Sequence, residues 1–335
     1  MKKIISLLFA AFCATSLVFA QSSQLATLSH GSTITTYYGA TAFKQAHTDA
    51  ADGDVITLSS GSFNGFTITK AVTVRGAGMG MDTVNNTNPT IINSNFTVNV
   101  PANDSYRLTL EGIYHDGNIT FKNATNVLVL KCRLYTVTVN STTTTDVCIK
   151  DGNFLHCKIF NLNFVKGNAS FLNSIISYVT AASNLTISNS IVFESDQITR
   201  SSFYNCILAT YSKALPSSNI AYNCIGQNRD DSSENIFADL SNNKSNKRVT
   251  LSTVFGTNVL NLNDDEYVDI DNRWYHLSDA GAQYVGNDGK EVGIYGGNMP
   301  FDPRTTVPQI TRCNVAAKST ADGKLSVDIE VSTAE

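Results

Sequence analysis

The sequence has little charge. Asp, Glu, Lys and Arg make up 16% of the 335 residues, whereas about a quarter is usual in globular proteins. The formal net charge is −4, so the chain lacks the basic surface with which proteins bind nucleic acid. Asn, Ser and Thr take the place of the charged residues. Many short β-rich segments separated by Asn, Ser and Gly favour an all-β architecture.

Long apolar runs are absent beyond the N-terminus. No later stretch reaches the roughly 18 apolar residues that a membrane helix needs. The first twenty residues begin with Lys2 and Lys3, continue with a nearly uncharged apolar run and end in small residues before Gln21. This pattern predicts a signal peptide over residues 1–20. We therefore expect the mature chain to be secreted, periplasmic or on the cell surface.

Short segments with a common pattern repeat through the middle of the chain. Each repeat has one small residue at the same place, at intervals of 16 to 25 residues: Cys132, Cys157, Ser174, Ser190, Cys206 and Cys224. Such short and variable intervals do not fit repeats of paired helices. They suit a coil of short strands in which the turns vary in length and the strands stay in register. We expect the small residues and the neighbouring apolar residues to face the interior.

The residues on either side of the small residue predict a corner and an outward row. In four repeats the preceding residue is Asn, which tolerates unusual backbone angles: Asn173, Asn189, Asn205 and Asn223. We expect these residues to stack at one corner and to form an amide ladder. The following residue faces outward and reads Arg133, Lys158, Ile175, Ile191, Ile207 and Ile225. Four exposed isoleucines in a row would form an apolar patch, so we expect residues 236–300 to cover them, with partner binding as the alternative.

Three further features concern the ends of the repeat region and the cysteines. Similar strand segments end at Gly76 and Gly112, which are 36 residues apart. This interval suits two coils, so we expect the segment TIINSNFTVNV to form a coil between these two strands. Apolar and polar residues alternate over residues 309–317 and 324–331, and residues 321–323 have the composition of a turn. This pattern predicts a β-hairpin in a C-terminal extension over residues 301–335. The six cysteines after the signal peptide permit either buried thiols or disulfides. We expect Cys206 and Cys224 to be neighbouring thiols.

Both ends of the repeat region resemble a known family. Residues 40–78 resemble the opening of right-handed parallel β-helix proteins of the pectate-lyase-like superfamily that bacteria secrete. In that pattern a short capping helix precedes the coil, here with a buried face of Ala42, Phe43, Ala46, Ala50 and Ala51. Residues 235–239, a strand at residues 275–277 and the Gly-rich residues 289–297 match the far end. The resemblance implies a right-handed parallel β-helix over residues 21–300 and export, but no activity, because this fold serves many functions.

The acidic residues give no recognisable catalytic site. Lyases of that superfamily need carboxylates that hold Ca²⁺ and a basic residue beside them, and hydrolases need paired acids. Between Lys122 and Ser190 the only acids are Asp146 and Asp151. Asp269 and Asp271 lie in an acidic run and are the candidate Ca²⁺ ligands, with a solvated turn as the alternative. No other cofactor is expected.

The sequence therefore leaves two functions open. One is a non-catalytic β-helix that binds a glycan or a surface protein through its long side, with the outward Tyr204 and Tyr222 as ligand-binding residues. The other is a divergent polysaccharide lyase or glycoside hydrolase, an interpretation that depends on fold analogy alone.

Overall fold

The protein is an all-β parallel β-helix, as the repeats predict. The structure is a computed structural model that describes residues 24–81, 87–140, 148–210, 213–228, 235–240, 242–257, 275–304, 309–315, 324 and 327–332. Two long sheets run through these residues. The strands of each sheet come from successive coils and pair in parallel, which is the arrangement of a solenoid.

The first sheet, called sheet A here, has 12 strands. In spatial order they are β2 (Thr33–Tyr38), β1 (Leu25–His30), β3 (Val55–Leu58), β6 (Thr73–Arg75), β9 (Thr109–Glu111), β11 (Leu128–Leu130), β13 (Ile149–Leu155), β15 (Gly167–Leu172), β17 (Leu185–Ser188), β20 (Ser202–Tyr204), β22 (Ile220–Tyr222) and β24 (Asn242–Lys244). β1 pairs antiparallel with both β2 and β3 and so extends the sheet at its N-terminal end. The sequence did not predict this antiparallel pair.

The second sheet, sheet B, has 13 strands. Its main path contains β4 (Gly61–Asn64), β7 (Thr90–Asn93), β10 (Ile113–Ala124), β12 (Arg133–Val139), β14 (Lys158–Phe164), β16 (Ile175–Ser183), β18 (Ile191–Val192), β21 (Ile207–Thr210), β23 (Ile225–Asn228) and β25 (Lys247–Arg248). The strands β5 (Thr67–Ile68), β8 (Phe96–Val100) and β19 (Ile198–Thr199) pair beside that path. Register shifts interrupt the pairing of the long strands, for example between His115 and Asn118.

Two short α-helices and one antiparallel pair complete the described elements. Helix α1 (Ala42–Asp49) precedes the coil, α2 (Leu251–Phe255) follows it, and Ser195–Gln197 forms a 3₁₀ turn. The predicted buried face of α1 is confirmed except at Ala51, which is exposed. β26 (Gln309–Val315) and β27 (Val327–Ser332) pair antiparallel, as the predicted hairpin requires. Its expected turn at residues 321–323 lies outside the described residues.

A column of residues with left-handed backbone angles forms one corner of the coil, between sheet A and sheet B. Their φ angles lie between 46° and 64°, a region that Gly and Asn enter most readily: Gly112, Lys131, His156, Asn173, Asn189, Asn205, Asn223 and Ser245. The predicted Asn corner is thus confirmed. The amide ladder is only partly right. Asn223 Nδ2 donates to Asn205 Oδ1 over 2.9 Å, whereas Asn173 Nδ2 donates to the carbonyls of Ile294 and Gly296.

The small residue after each corner residue faces the interior and links adjacent coils. Ser174 N donates to Ser190 Oγ over 3.1 Å, and Ser190 Oγ donates to Ser188 O over 2.7 Å. Cys206 N and Cys224 Sγ make the equivalent contact at 3.4 Å. Ser and Cys recur here because each can accept one hydrogen bond and donate another inside the coil.

The described cysteines are buried thiols rather than disulfides, which settles the choice that the sequence left open for them. They are Cys132, Cys148, Cys157, Cys206 and Cys224. Burial raises the pKa of Cys157 to about 12, so this thiol stays protonated and unreactive. The side chain of Cys313 lies outside the described residues.

The prediction of two coils between Gly76 and Gly112 is wrong. Strand β6 pairs directly with β9, which places Arg75 opposite Glu111. The segment TIINSNFTVNV contributes β7 and β8 to sheet B instead. The 36 residues therefore form one long coil. The error arose because strands of sheet A and sheet B share the same alternation of apolar and polar residues, so alternation alone does not assign a strand to a sheet.

Residues 275–304, called the return segment here, cover the isoleucine row, as predicted. Ile175, Ile191, Ile207 and Ile225 are each at most 2% exposed. They belong to a second apolar cluster, separate from the coil interior, together with Tyr275, Val292, Ile294 and Phe301. The predicted strand at residues 275–277 is not present, and Tyr275 has a left-handed φ of 57°.

The return segment follows the corner column from late coils to early ones. Asn223 Nδ2 donates to Val285 O, and Gly293 N donates to Asn205 O. Further along, His156 Nε2 lies 3.1 Å from Met299 O and Lys131 Nζ donates to Arg304 O over 2.8 Å. The side chains of the corner residues thus bind the segment that covers the neighbouring isoleucines.

Candidate functional site

Alternation along the strands of sheet A places one row of side chains outside the coil. The interior positions hold residues such as Phe154, Phe171 and Phe203, which have no exposed area. The residue after each of these points outward, because successive side chains of a strand face opposite sides. The parallel register defines the outer row of sheet A as Arg75, Glu111, Leu130, Leu155, Leu172, Ser188, Tyr204, Tyr222 and Lys244.

Tyr204 and Tyr222, the predicted ligand-binding residues, lie together at one end of the outer row. Their ring centroids are 5.5 Å apart and the rings are parallel to within 1°. Both side chains are half-buried. Lys244 Nζ lies 5.8 Å from the centroid of the Tyr222 ring. On the other side of Tyr204 the register places Ser188, whose side chain is too short to cover an aromatic ring.

The middle of the outer row is apolar. Leu130, Leu155 and Leu172 occupy successive coils, and Leu128 lies beside them on β11. All four are half-buried rather than covered. These four residues, called the leucine strip here, form a contiguous apolar surface of the kind that is typical of contact sites. Ser188 separates the strip from the tyrosine pair.

A polar pocket of about 470 Å³ lies at the other end of the outer row. Arg75 Nε is 3.4 Å from Glu111 Oε2, and the Glu111 side chain is only 5% exposed. The remaining walls combine hydroxyl groups, a further cation and aliphatic side chains: Thr73, Thr109, Tyr106, Arg107, Leu128 and Leu130. A few convergent polar groups on an apolar floor are typical of small-molecule sites, and this volume is within their range.

The segment before β9 borders the pocket on the side where the strands of sheet A begin. Asn103 Nδ2 donates to Asp52 Oδ2 over 2.9 Å, and Asn103 Oδ1 accepts the backbone N–H groups of Ser105 and Tyr106. The Tyr106 ring packs on Gly53, where a Cβ atom would collide with it. The outer row itself continues past Arg75 to Thr57 and Thr27.

The sequence missed the pocket. The two residues of its ion pair, Arg75 and Glu111, are 36 positions apart, and the wrong assignment of two coils to that interval placed them on coils that do not touch. Arg75 and Glu111 each stand directly before the glycine that ends a similar strand segment, at Gly76 and Gly112. This shared position was the sequence signal that the two residues are neighbours.

A second group of aromatic residues lies outside sheet B. Tyr135 and Phe160 stack with centroids 4.8 Å apart, and Phe160 meets Tyr178 edge-on at 4.9 Å. Tyr135 is 45% exposed. Nearby, the Arg133 guanidinium lies 4.4 Å from the centroid of the Tyr114 ring. The sequence did not predict this group, which is a rival contact surface.

His115 and the adjacent Asp116 face opposite sides of their strand. His115 points into the coil, where Nδ1 lies 2.8 Å from Ile92 O, whereas the adjacent Asp116 is exposed. The described residues hold no group of three or more His, Cys, Asp or Glu that could bind a metal ion. Asp269 and Asp271, the predicted Ca²⁺ ligands, lie outside the described residues.

Comparisons with protein-family models, with curated proteins and with solved structures found no match to this chain. Within the described residues, no helix combines the length and apolar character that crossing a bilayer requires.

Proposed function

We propose that this chain is an exported, non-catalytic protein that binds a glycan along the outer row of sheet A. The observation that carries the proposal is the parallel Tyr204–Tyr222 pair in line with the polar pocket. The signal peptide predicted at residues 1–20 and the resemblance to secreted β-helices support an extracytoplasmic role.

The outer row combines apolar and polar side chains, and a sugar needs both kinds of contact. Pyranose rings have apolar C–H faces, which pack on aromatic rings, and hydroxyl edges, which need hydrogen-bond partners. Tyr has the matching combination of an apolar ring and a polar tip. The side of Tyr204 toward Ser188 can take a sugar ring, and the pocket supplies donors and acceptors further along the row.

The acidic residues support binding rather than cleavage. Glycoside hydrolases use two carboxyl groups at a defined separation, one as acid and the other as base or nucleophile. Glu111 is the one carboxylate among the described residues that line the pocket, and it is paired with Arg75. A lyase or hydrolase remains the second candidate, and only the fold analogy favours it.

The proposal is tested by electrophoresis of the purified mature protein through gels that contain neutral or acidic polysaccharides, with and without Ca²⁺. We expect retardation in at least one neutral polysaccharide without release of products. The double variant Tyr204→Ala/Tyr222→Ala should bind about 30-fold more weakly, since each of the two aromatic contacts contributes about 1 kcal/mol.

Tyr135→Ala is the matched control, because Tyr135 is also an outward, stacked aromatic residue but lies on sheet B. Loss of retardation with Tyr135→Ala alone would move the site to sheet B. Release of products would favour the enzyme, and absence of retardation in every polysaccharide would favour a protein partner on the leucine strip.

A further inference from the structure

We propose that β2 (Thr33–Tyr38) pairs with the β2 strand of a second copy of this chain, so that two molecules form a dimer with two-fold symmetry. Four observations carry the inference: the open edge of the strand, its lack of charge, its exposed apolar side chains and its fit to a copy of itself. The inference goes beyond glycan binding and does not depend on it.

The outer edge of β2 carries unpaired backbone groups. β2 is the end strand of sheet A, and within the described residues only β1 pairs with it. Gly39 N donates to Gln24 O over 2.9 Å, and in an antiparallel ladder every second residue bonds to the neighbouring strand. The even-numbered residues of β2 therefore direct their N–H and C=O groups away from β1: Ile34, Thr36 and Tyr38. Such a row is a template for another strand.

The edge lacks the features that usually prevent pairing between molecules. Proteins place charged residues, Pro or bulges on their edge strands, or keep these strands very short. β2 has the sequence TITTYY and pairs with β1 over all six residues without a register shift. Because β2 has no charged residue, a second copy of the strand is not repelled by the first.

The exposed apolar side chains of β2 lie on the outward face of sheet A. Tyr37 Oη donates to Asp49 Oδ2 of α1 over 2.7 Å, so Tyr37 lies on the side of the capping helix. Ile34, Thr36 and Tyr38 lie on the opposite side, because side chains alternate along a strand. Ile34 is 69% exposed and Tyr38 is 51% exposed. A strand added at this edge covers part of both side chains.

The strand complements itself in antiparallel pairing. A two-fold axis at Thr36 places Thr36 opposite its own copy and places Ile34 opposite Tyr38 of the second copy, twice. The residues with outward N–H and C=O groups then form the hydrogen-bonded pairs. Aromatic–β-branched pairs and Thr–Thr pairs are both favourable across strands. A surface that contacts its own copy about a two-fold axis is the commonest arrangement of protein dimers.

The dimer joins the outer rows of the two copies. The outer row of sheet A continues past Arg75 through Thr57 and Thr27 to Thr36. The two-fold axis is perpendicular to the sheet, so the outer faces of both copies lie on the same side. A ligand that lies along one row can therefore extend onto the other.

The test is sedimentation velocity of the mature protein at concentrations from about 1 µM to about 1 mM. We expect a monomer–dimer equilibrium, because one pair of strands is a small interface. Thr36→Lys places two positive charges directly opposite each other, and Thr36→Glu places two negative charges there. Each variant alone should dimerise about tenfold more weakly or worse, and an equimolar mixture of the two should dimerise again.

Thr57→Lys is the matched control. It adds the same charge on the outward face of β3, which has a neighbouring strand on both edges, and should leave dimerisation unchanged. Circular dichroism and urea unfolding verify that each variant is folded.

The inference is overturned if the native protein remains a monomer at every concentration, or if Thr36→Lys alone dimerises like the native protein. It is also overturned if the mixture of folded Lys and Glu variants remains monomeric. Loss of the dimer with Thr57→Lys would place the contact on the face of sheet A instead of its edge.

Discussion

The repeated Ser and Cys residues inside the corner are hydrogen-bonding residues as well as small ones. Ser190 accepts the Ser174 N–H and donates to Ser188 O while fully buried. Cys224 accepts and donates in the same pattern two coils further on. Each coil thereby satisfies a backbone N–H of the coil before it, which a buried backbone requires.

We expect Ser190→Ala to lower the free energy of unfolding by about 1–3 kcal/mol, because the Ser174 N–H loses its buried partner. Ser190→Cys should cost less than half as much, since Cys occupies the equivalent position at residue 206. Urea unfolding of both variants measures the difference. Equal losses for Ala and Cys would mean that the position matters for packing rather than for hydrogen bonding.

His47 links the capping helix to the coil through a hydrogen bond that protonation of its imidazole should break. His47 Nε2 accepts the Thr69 N–H over 3.1 Å, so the imidazole must be neutral. Burial, and secondarily the nearby Lys70 charge, lower the pKa of His47 to about 4. The unfolded chain takes up a proton near pH 6.5, whereas the folded chain resists it down to about pH 4.

We therefore expect stability to fall as the pH is lowered from 6.5 to 4, by an amount on the order of 2 kcal/mol from His47. His47→Gln removes this titration, so its free energy of unfolding should change less over the same interval. Urea unfolding at several pH values compares the two slopes. Parallel slopes for the native protein and the variant would contradict a neutral His47 in the fold.

At the scale of elements, the return segment depends on close backbone packing against the isoleucine row. Gly293 has a φ of 93°, and a Cβ atom there would lie 2.6 Å from Ile207 Cδ1. Gly289 has a comparable φ of 75° but open space around its Cα atom. A Cβ atom would therefore collide with Ile207 at position 293 and would meet no atom at position 289.

Gly293→Ala should therefore destabilise the protein by about 1–3 kcal/mol more than Gly289→Ala, because only the first adds a clash to the strain of a positive φ. We expect faster cleavage of the return segment of Gly293→Ala in limited proteolysis. Equal effects of the two substitutions would show that the segment tolerates displacement from Ile207.

Much of this element-scale arrangement could be predicted from the sequence, and some could not. The coil, the Asn corner and the covered isoleucines follow from residue types at fixed offsets, because stacked coils repeat the same environment. The Asn173 bonds to the return segment could not be predicted, since those partners are more than 120 residues away. The Arg75–Glu111 pair was missed because the length of one coil was misjudged.

At the scale of the whole molecule, coils contact mainly their sequence neighbours, whereas the return segment contacts the corner column from Asn223 to Lys131. A chain that ends at residue 257 would leave the isoleucine row without its cover. We expect it to bind more of the dye anilinonaphthalene sulfonate and to self-associate in size-exclusion chromatography, because a contiguous apolar patch becomes exposed.

A chain that ends at residue 304 is the matched control for that truncation. It keeps the return segment and loses only the β26–β27 pair and its flanking residues. Its dye binding and elution should match those of the full mature chain. Similar behaviour of the two truncated chains would show that the isoleucines do not need the return segment.

The course of the return segment also determines how the molecule would respond to a pulling force. Tension applied beyond residue 304 reaches the Lys131–Arg304 and His156–Met299 contacts before it reaches those at Asn205 and Asn223. The contacts are loaded one after another, so the segment would peel away stepwise at low force instead of shearing all its bonds at once. The contacts at Asn205 and Asn223 would break last. The coil can remain folded while the return segment detaches from it.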